Sequence, residues 1–142
     1  MTTAAQLHRA MFQAIQDRDH TRLRQLFGPT STHASSDGAT VTGPDPVVAE
    51  VEGFTTAFPD LDIEIRHQHA CGPDTSVIEY TFRGTHNGPL ESLPPTGRSV
   101  AVVACSVLTA EGDTIAHEAD YFDALAMLTQ LGVMDAEATT TS

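Results

Sequence analysis

The sequence is short of positive charge. Lysine and arginine together number 7 against 19 acids, a formal net charge of −12 over 142 residues. Such a chain repels phosphate backbones and anionic headgroups, which argues against nucleic acid and membranes as partners. An acidic balance also favours solubility and need mean no more than that. Cysteine is scarce too: Cys71 and Cys105 stand alone, without metal-ligand spacing. A domain of this length needs no disulfide, so a reducing cytoplasm is the expected location. No apolar run reaches the length of a membrane span. The N-terminal MTTAAQLHRAMFQAI has neither the basic head nor the continuous apolar stretch of a secretion signal. Also missing are the G-x-G-x-x-G fingerprint, the P-loop and the G-x-S-x-G elbow. No flavin, nicotinamide or haem is implied, and the expected cofactor is none. His67 and His69 at i, i+2 are metal-ligand types, but nothing nearby supplies a third ligand, so no metal is expected.

What is present suits one α+β domain over residues 1–134. The tail 135–142, DAEATTTS, has nothing to bury and is expected to be disordered. Thr3 can cap a first helix with the apolar stripe Leu7, Met11, Ala14, Ile15. A short second helix spans about Thr21–Phe27 and stops at Gly28-Pro29. Two short strands flank Asp37-Gly38, a turn dipeptide. Pro46 opens a third helix carrying Val47, Val48, Val51, Phe54 and Phe58.

The period then changes to two. LDIEIRHQHA sets Ile63, Ile65, His67 and His69 on one face, and VIEYTFRGTH sets Ile78, Tyr80, Phe82 and His86 on one face. RSVAVVACSVLTA is almost wholly apolar, as expected of a central strand covered on both sides, with Cys105 as inert core. IAHEADYFD follows, and DALAMLTQLG is a short last helix with Gly132 at its C-terminal cap. Four successive strands joined by turns make an antiparallel meander. Helices gathered at one end of the sequence can cover one face of it, and a curved sheet so covered makes an apolar pocket.

The last strand carries more acid than a core strand should. Alternation puts Glu118 and Asp120 on one face with Phe122, and His117 and Tyr121 on the other. Asp123 precedes the last helix and is its expected N-cap; His117 is expected on the surface. Asp120 faces either the pocket or solvent. In the pocket its carboxyl is desolvated, its pKa rises, and it suits general acid/base work near neutrality. On the solvent face it pairs with Arg83 or Arg98. Glu118 lies nearer the turn and is expected at the rim or surface. His86 either meets Asp120 across the pocket or is satisfied within a loop, and His33, in the hairpin region, can line the same pocket.

A histidine after a strand (Gly84-Thr85-His86), then Pro94-Pro95-Thr96-Gly97-Arg98, a long apolar strand, Asp120 in the next strand and Leu128-Thr129-Gln130-Leu131-Gly132 follow in that order. This order resembles the SnoaL-like polyketide cyclases. The resemblance implies a nuclear-transport-factor-2-like barrel, a cone of sheet closed by helices, working without cofactor or metal. It implies an intramolecular aldol closure of the last ring of an anthracycline-type polyketide, with Asp120 as general acid/base and His86 as its companion. Three positions depart from the family: Ile15 stands for a tyrosine, Glu50 for a pocket asparagine and Ser106 for a histidine. These three, with His33, Phe54, Tyr80 and Phe82, are the expected substrate-binding set. Relatives of this fold are thought to serve hydroxylation, so a hydroxylase-type accessory protein is the alternative chemistry. A non-catalytic small-molecule-binding or dimerisation module is the third reading. Homodimerisation, or a higher homo-oligomer, through the outer sheet face is expected by analogy.

Overall fold

The computed structural model describes residues 2–134; the expected disordered tail lies outside the described residues. Helix α1 spans Ala4–Gln16. Thr3 and Gln6 close a reciprocal capping box at its start, with Gln6 N–H donating to Thr3 Oγ1 at 3.2 Å and Thr3 N–H to Gln6 Oε1 at 2.9 Å. Its buried face holds Leu7, Met11, Phe12 and Ala14, and with them His8. Helix α2, His20–Leu26, is capped by Asp19 and runs directly into strand β1, Phe27–Ala34. Strand β2, Thr40–Thr42, returns through the Asp37-Gly38 turn, where Gly38 adopts φ 88° and Asp37 Oδ1 accepts from Ala39 N–H. Helix α3, Pro44–Ala57, carries proline in its first turn.

Strands β3 (Asp62–Cys71), β4 (Thr75–Thr85), β5 (Ser99–Glu111) and β6 (Thr114–Phe122) form the antiparallel meander. Helix α4, Ala124–Gln130, follows with Asp123 as its N-cap. Gly132, at φ 78°, ends α4: its N–H bonds Thr129 O and that of Val133 bonds Leu128 O, a Schellman closure.

The sheet runs β2-β1-β6-β5-β4-β3 and is curved, unclosed and mixed. The meander is antiparallel as expected, but β1 lies parallel to β6. The reason is topological: the chain leaves β1 and β2 through α3 and the whole meander before β6 returns beside β1. That parallel register sets Thr32 against His117, His33 against Glu118 and Ala34 against Ala119.

Two expectations need correction. Strand β5 is covered on one face only; its residues alternate buried and open, and Val103 is 66% exposed. Its continuous apolar sequence reflects an apolar outer face rather than a second covering layer. In β3 the parity expected for His67 and His69 is reversed by a bulge between Ile65 and His67. Both histidines turn outward, where His69 Nε2 meets Glu79 Oε2 at 2.9 Å, while Gln68 turns in to donate to Ser76 Oγ at 3.1 Å. The core between helices and sheet is built on Leu7, Phe12, Leu23, Phe58, Ile78 and Leu108.

Candidate active site

Between the helices and the concave face of the sheet lies a cavity of about 1200 Å³. Helix α1 contributes Phe12 and Ile15, α3 contributes Glu50 and Phe54, and the sheet contributes Tyr80, Phe82 and Phe122; Leu90 and Leu93 close it from the loop after β4. The phenyl rings of Phe54, Phe82 and Phe122 stand nearly perpendicular to one another, with centroids 5.6 to 6.5 Å apart. They make an apolar wall. On the sheet side the wall is interrupted by His33, Glu118 and Asp120.

His33 stands between two carboxylates. Its Nδ1 lies 2.5 Å from Glu118 Oε1 and its Nε2 2.6 Å from Glu50 Oε2. Only the imidazolium carries a proton on each nitrogen, so with both carboxylates ionised only that form satisfies both contacts. Burial alone would push its pKa down, but the hydrogen bonds to Glu118 and Glu50 prevail and raise it to about 10. Glu50 also accepts from Ser35 Oγ at 2.7 Å, and the hydrogen bond from His33 holds its pKa below the ordinary value.

Glu118 is 1% exposed and accepts a second hydrogen bond, from Ser106 Oγ to Oε2 at 2.6 Å. Asp120 accepts from the Tyr80 hydroxyl at 2.9 Å. Burial, the charge of Glu118 and a hydrogen bond shared with it push the Asp120 pKa well above the carboxylate range. The His33 imidazolium and the Tyr80 hydroxyl act the other way and do not prevail. Burial, and then the nearby Asp120 charge, likewise drive the Tyr80 pKa upward, so the phenol remains a donor. The potential metal-ligand atoms of His33, Glu118 and Asp120 lie within 4.8 Å of one another. In this arrangement both His33 nitrogens face carboxylate oxygens.

The expected residues divide. Asp120, His33, Glu50, Ile15, Phe54, Tyr80 and Phe82 all line the cavity. Ser106 and His86 do not. Ser106 is fully buried behind the floor, between Glu118 and His8, whose Nε2 lies 2.8 Å from its Oγ. His86 does not meet Asp120 across the cavity. Strand β4 ends at Thr85, and the ring of His86 packs on Phe58 at 5.5 Å, with Nδ1 accepting from Thr96 N–H at 3.1 Å. It clamps the Pro94–Arg98 segment onto the strand end, the loop-satisfied alternative. Arg83 pairs with Glu64 rather than with Asp120.

Two members of the site escaped the sequence reading. Glu118 is not at the rim, because the parallel strand β1 covers the end of β6 nearest the turn. Its shared parity with Asp120 was the available signal. His8 lies on the 4, 7, 8, 11, 12 spacing of the buried face of α1, which an apolar stripe alone passes over.

The SnoaL-like polyketide cyclase family model matches residues 5–131. No curated protein matches the sequence. Among solved structures, AclR, a candidate hydroxylase from Streptomyces galilaeus, is 26% identical, with 90% of this chain and 94% of that one covered at a TM-score of 0.78. IdmH, a candidate polyketide cyclase from Streptomyces antibioticus, is 21% identical, with 89% and 96% covered at a TM-score of 0.76. A protein of ketosteroid isomerase-like fold from Catenulispora acidiphila is 22% identical, with 99% and 100% covered at a TM-score of 0.77. Among the described residues no helix is long and apolar enough to cross a membrane.

Proposed function

The chain belongs to the SnoaL-like polyketide cyclase family, and on that premise we propose that it is an acid/base enzyme of aromatic polyketide biosynthesis, closing a ring on an anthracycline-type ketone or ester without cofactor or metal. The observation that carries this reading is the Asp120 carboxyl at the wall of an apolar cavity, with its pKa held up by burial and by Glu118. A carboxylate so held is a stronger base than one in water, and its affinity for a proton is better matched to a carbon acid.

In the proposed step ionised Asp120 takes a proton from the carbon next to a carbonyl. The resulting enolate carbon attacks a second carbonyl of the same molecule, one C–C bond forms, and the new alkoxide oxygen recovers the proton. Reactant and product are isomers. Charge in the enolate is delocalised over the conjugated guest, and the Tyr80 hydroxyl is the donor nearest the Asp120 carboxyl. Phe54, Phe82 and Phe122 supply flat apolar surface against a polycycle, while Ile15 and Glu50 shape its fit.

A second reading is supported by the 26% identity to the candidate hydroxylase AclR: the same cavity and aspartate serving a hydroxylation. The product separates the two: ring closure leaves the elemental composition unchanged, whereas hydroxylation, which draws on dioxygen and an external two-electron reductant, inserts one oxygen atom and releases the other as water. Mass spectrometry of an anthracycline-type keto ester incubated with the protein, dioxygen and an external two-electron reductant reads this directly. A pure binding module returns the compound unaltered. The apolar outer face of the sheet, with Val103 and Tyr121 exposed, supports a homodimer or higher homo-oligomer.

A further inference from the structure

Behind the cavity floor a line of hydrogen bonds runs from Glu118 to the far edge of the sheet. Glu118 Oε2 meets Ser106 Oγ at 2.6 Å, Ser106 Oγ meets His8 Nε2 at 2.8 Å, and His8 Nδ1 meets Ser76 Oγ at 2.8 Å. Ser76 Oγ then meets Gln68 Nε2 at 3.1 Å. His8, Ser76 and Ser106 are each fully buried. None of the three lines the cavity, so the proposed chemistry does not use them directly.

The direction of every bond follows from the outer end. Arg9 Nε, which can only donate, bonds Gln68 Oε1 at 2.8 Å, and Gln68 Nε2 donates to the Ala5 carbonyl at 3.0 Å. These two contacts fix the Gln68 amide, so its nitrogen donates to Ser76. The Ser76 proton is then free for His8 Nδ1. His8 must carry its own proton on Nε2 and give it to Ser106, and Ser106 gives its proton to Glu118. Every donor points at Glu118, as an ionised carboxylate requires.

Protonation of Glu118 on Oε2, the oxygen that faces Ser106, would reverse the line; Oε1 is held by the His33 imidazolium. Glu118 would donate to Ser106, Ser106 to His8 Nε2, and His8 Nδ1 to Ser76. Ser76 would then accept from both His8 and Gln68, and its own hydroxyl proton would have no acceptor among the recorded contacts. A buried donor without a partner opposes that state. Neutral His8 is required in both directions, and burial holds its pKa down at about 4 against the pull of Glu118.

We propose that His8 is a positioning residue of the acid/base site: through Ser106 it holds Glu118 ionised, and so makes Asp120 the carboxyl that takes up and returns the proton. The groups facing this carboxyl pair come from five elements: His8 of α1, His33 of β1, Glu50 of α3, Tyr80 of β4 and Ser106 of β5. His33 and Ser106 both serve Glu118, whereas Tyr80 alone donates to Asp120. The donor count therefore favours charge on Glu118. This inference rests on the reading of Asp120 as the acid/base group, but its test does not need a substrate.

The test is NMR of the full chain with ¹⁵N-labelled histidine and ¹³C-labelled carboxyl groups. At pH 7 the His8 ring should show the Nε2–H tautomer, and Asp120 should titrate well above the ordinary carboxylate range. In Ser106→Ala, and more weakly in Ser76→Ala, the Asp120 midpoint should fall, with Ser106→Thr restoring the wild-type value. A Nδ1–H tautomer at His8, or an unchanged Asp120 midpoint in a folded Ser106→Ala protein, overturns the proposal. Ser76→Ala lies three hydrogen bonds from Glu118 and gives the same readout should Ser106→Ala fail to fold. If Asp120→Asn keeps full turnover while the tautomer and titrations come out as stated, the catalytic reading fails and the assignment of the proton stands.

Discussion

Glu118 and Asp120 stand two residues apart on the same face of β6, and the protein treats them oppositely. Glu118 is bonded through both oxygens, to the His33 imidazolium and to Ser106. Asp120 has one phenolic donor and the charge of Glu118 beside it. Two acids in one low-dielectric pocket cannot both ionise freely, and the partners decide which of them holds the proton.

Replacing Asp120 by asparagine keeps the shape and the contact with Tyr80 but removes the proton shuttle. Turnover of an accepted polyketide should fall about 10²-fold or more, with modest change in KM. A variant within a few-fold of wild type would take Asp120 out of the chemistry.

The wild-type rate should also depend on pH through the same group. Because the ionised form is the base, kcat/KM should rise as pH increases through the Asp120 midpoint, which lies well above the ordinary carboxylate range. A rate limb with its midpoint near 4, the solution value of a carboxyl, contradicts the raised pKa.

Stability should depend on pH through two histidines that work in opposite directions. His33 is raised from 6.5 to about 10, so its stabilisation is complete below 6.5 and is lost as pH climbs towards 10. His8 is lowered from 6.5 to about 4, so the unfolded chain takes its proton first and stability falls as pH drops from 6.5 towards 4. Thermal melts across pH 4 to 10 should therefore decline on both sides. His33→Gln should flatten the alkaline limb and His8→Leu should reduce the slope of the acid one. Parallel curves for wild type and both variants count against the buried network.

The order of elements was legible because it rests on local signals: the Thr3 cap, the prolines and glycines that end helices, and a period that changes from 3.6 to 2 at Asp62. The partnership of His33 with Glu118 was not, since it depends on β1 lying parallel to β6 across 85 residues of sequence. The orientation of Gln68 was hidden by a bulge of one residue, which no alternation rule contains. Parity put Asp120 on one face with Glu118 but left that face open between cavity and solvent. The displacement of His86 was not legible, because it follows from the turn of the chain after Thr85.

The outer face of the sheet predicts assembly. Val103 is 66% and Tyr121 56% exposed, on strands β5 and β6 that lie side by side. In a homodimer through this face, Val103→Glu should bury charge and convert the protein to monomer in analytical ultracentrifugation, while leaving the cavity intact. A wild-type protein that sediments as a monomer at all accessible concentrations argues against the assembly.

Gly53, in the cavity lining, and Gly88, just before the loop that closes it, should respond oppositely to alanine. Gly53, within α3, has nothing within 4 Å of where a Cβ would stand. Gly53→Ala should stabilise the protein by roughly 0.5–1 kcal/mol, the backbone entropy that a helical glycine forfeits. A Cβ on Gly88 would lie 2.0 Å from the Thr56 carbonyl oxygen and 2.9 Å from its carbon. Both are backbone atoms, so no rotamer change relieves the overlap, and the Gly88 N–H bond to Ala57 O at 3.2 Å must lengthen. Gly88→Ala should cost about 1–3 kcal/mol. It should also move the loop that brings Leu90 and Leu93 over the cavity, so that a neutral aromatic dye such as Nile red binds more weakly than to Gly53→Ala. Equal melting temperatures and equal dye affinity in the two variants would mean that the loop is not seated on the end of α3, and that the cavity lacks its fourth wall.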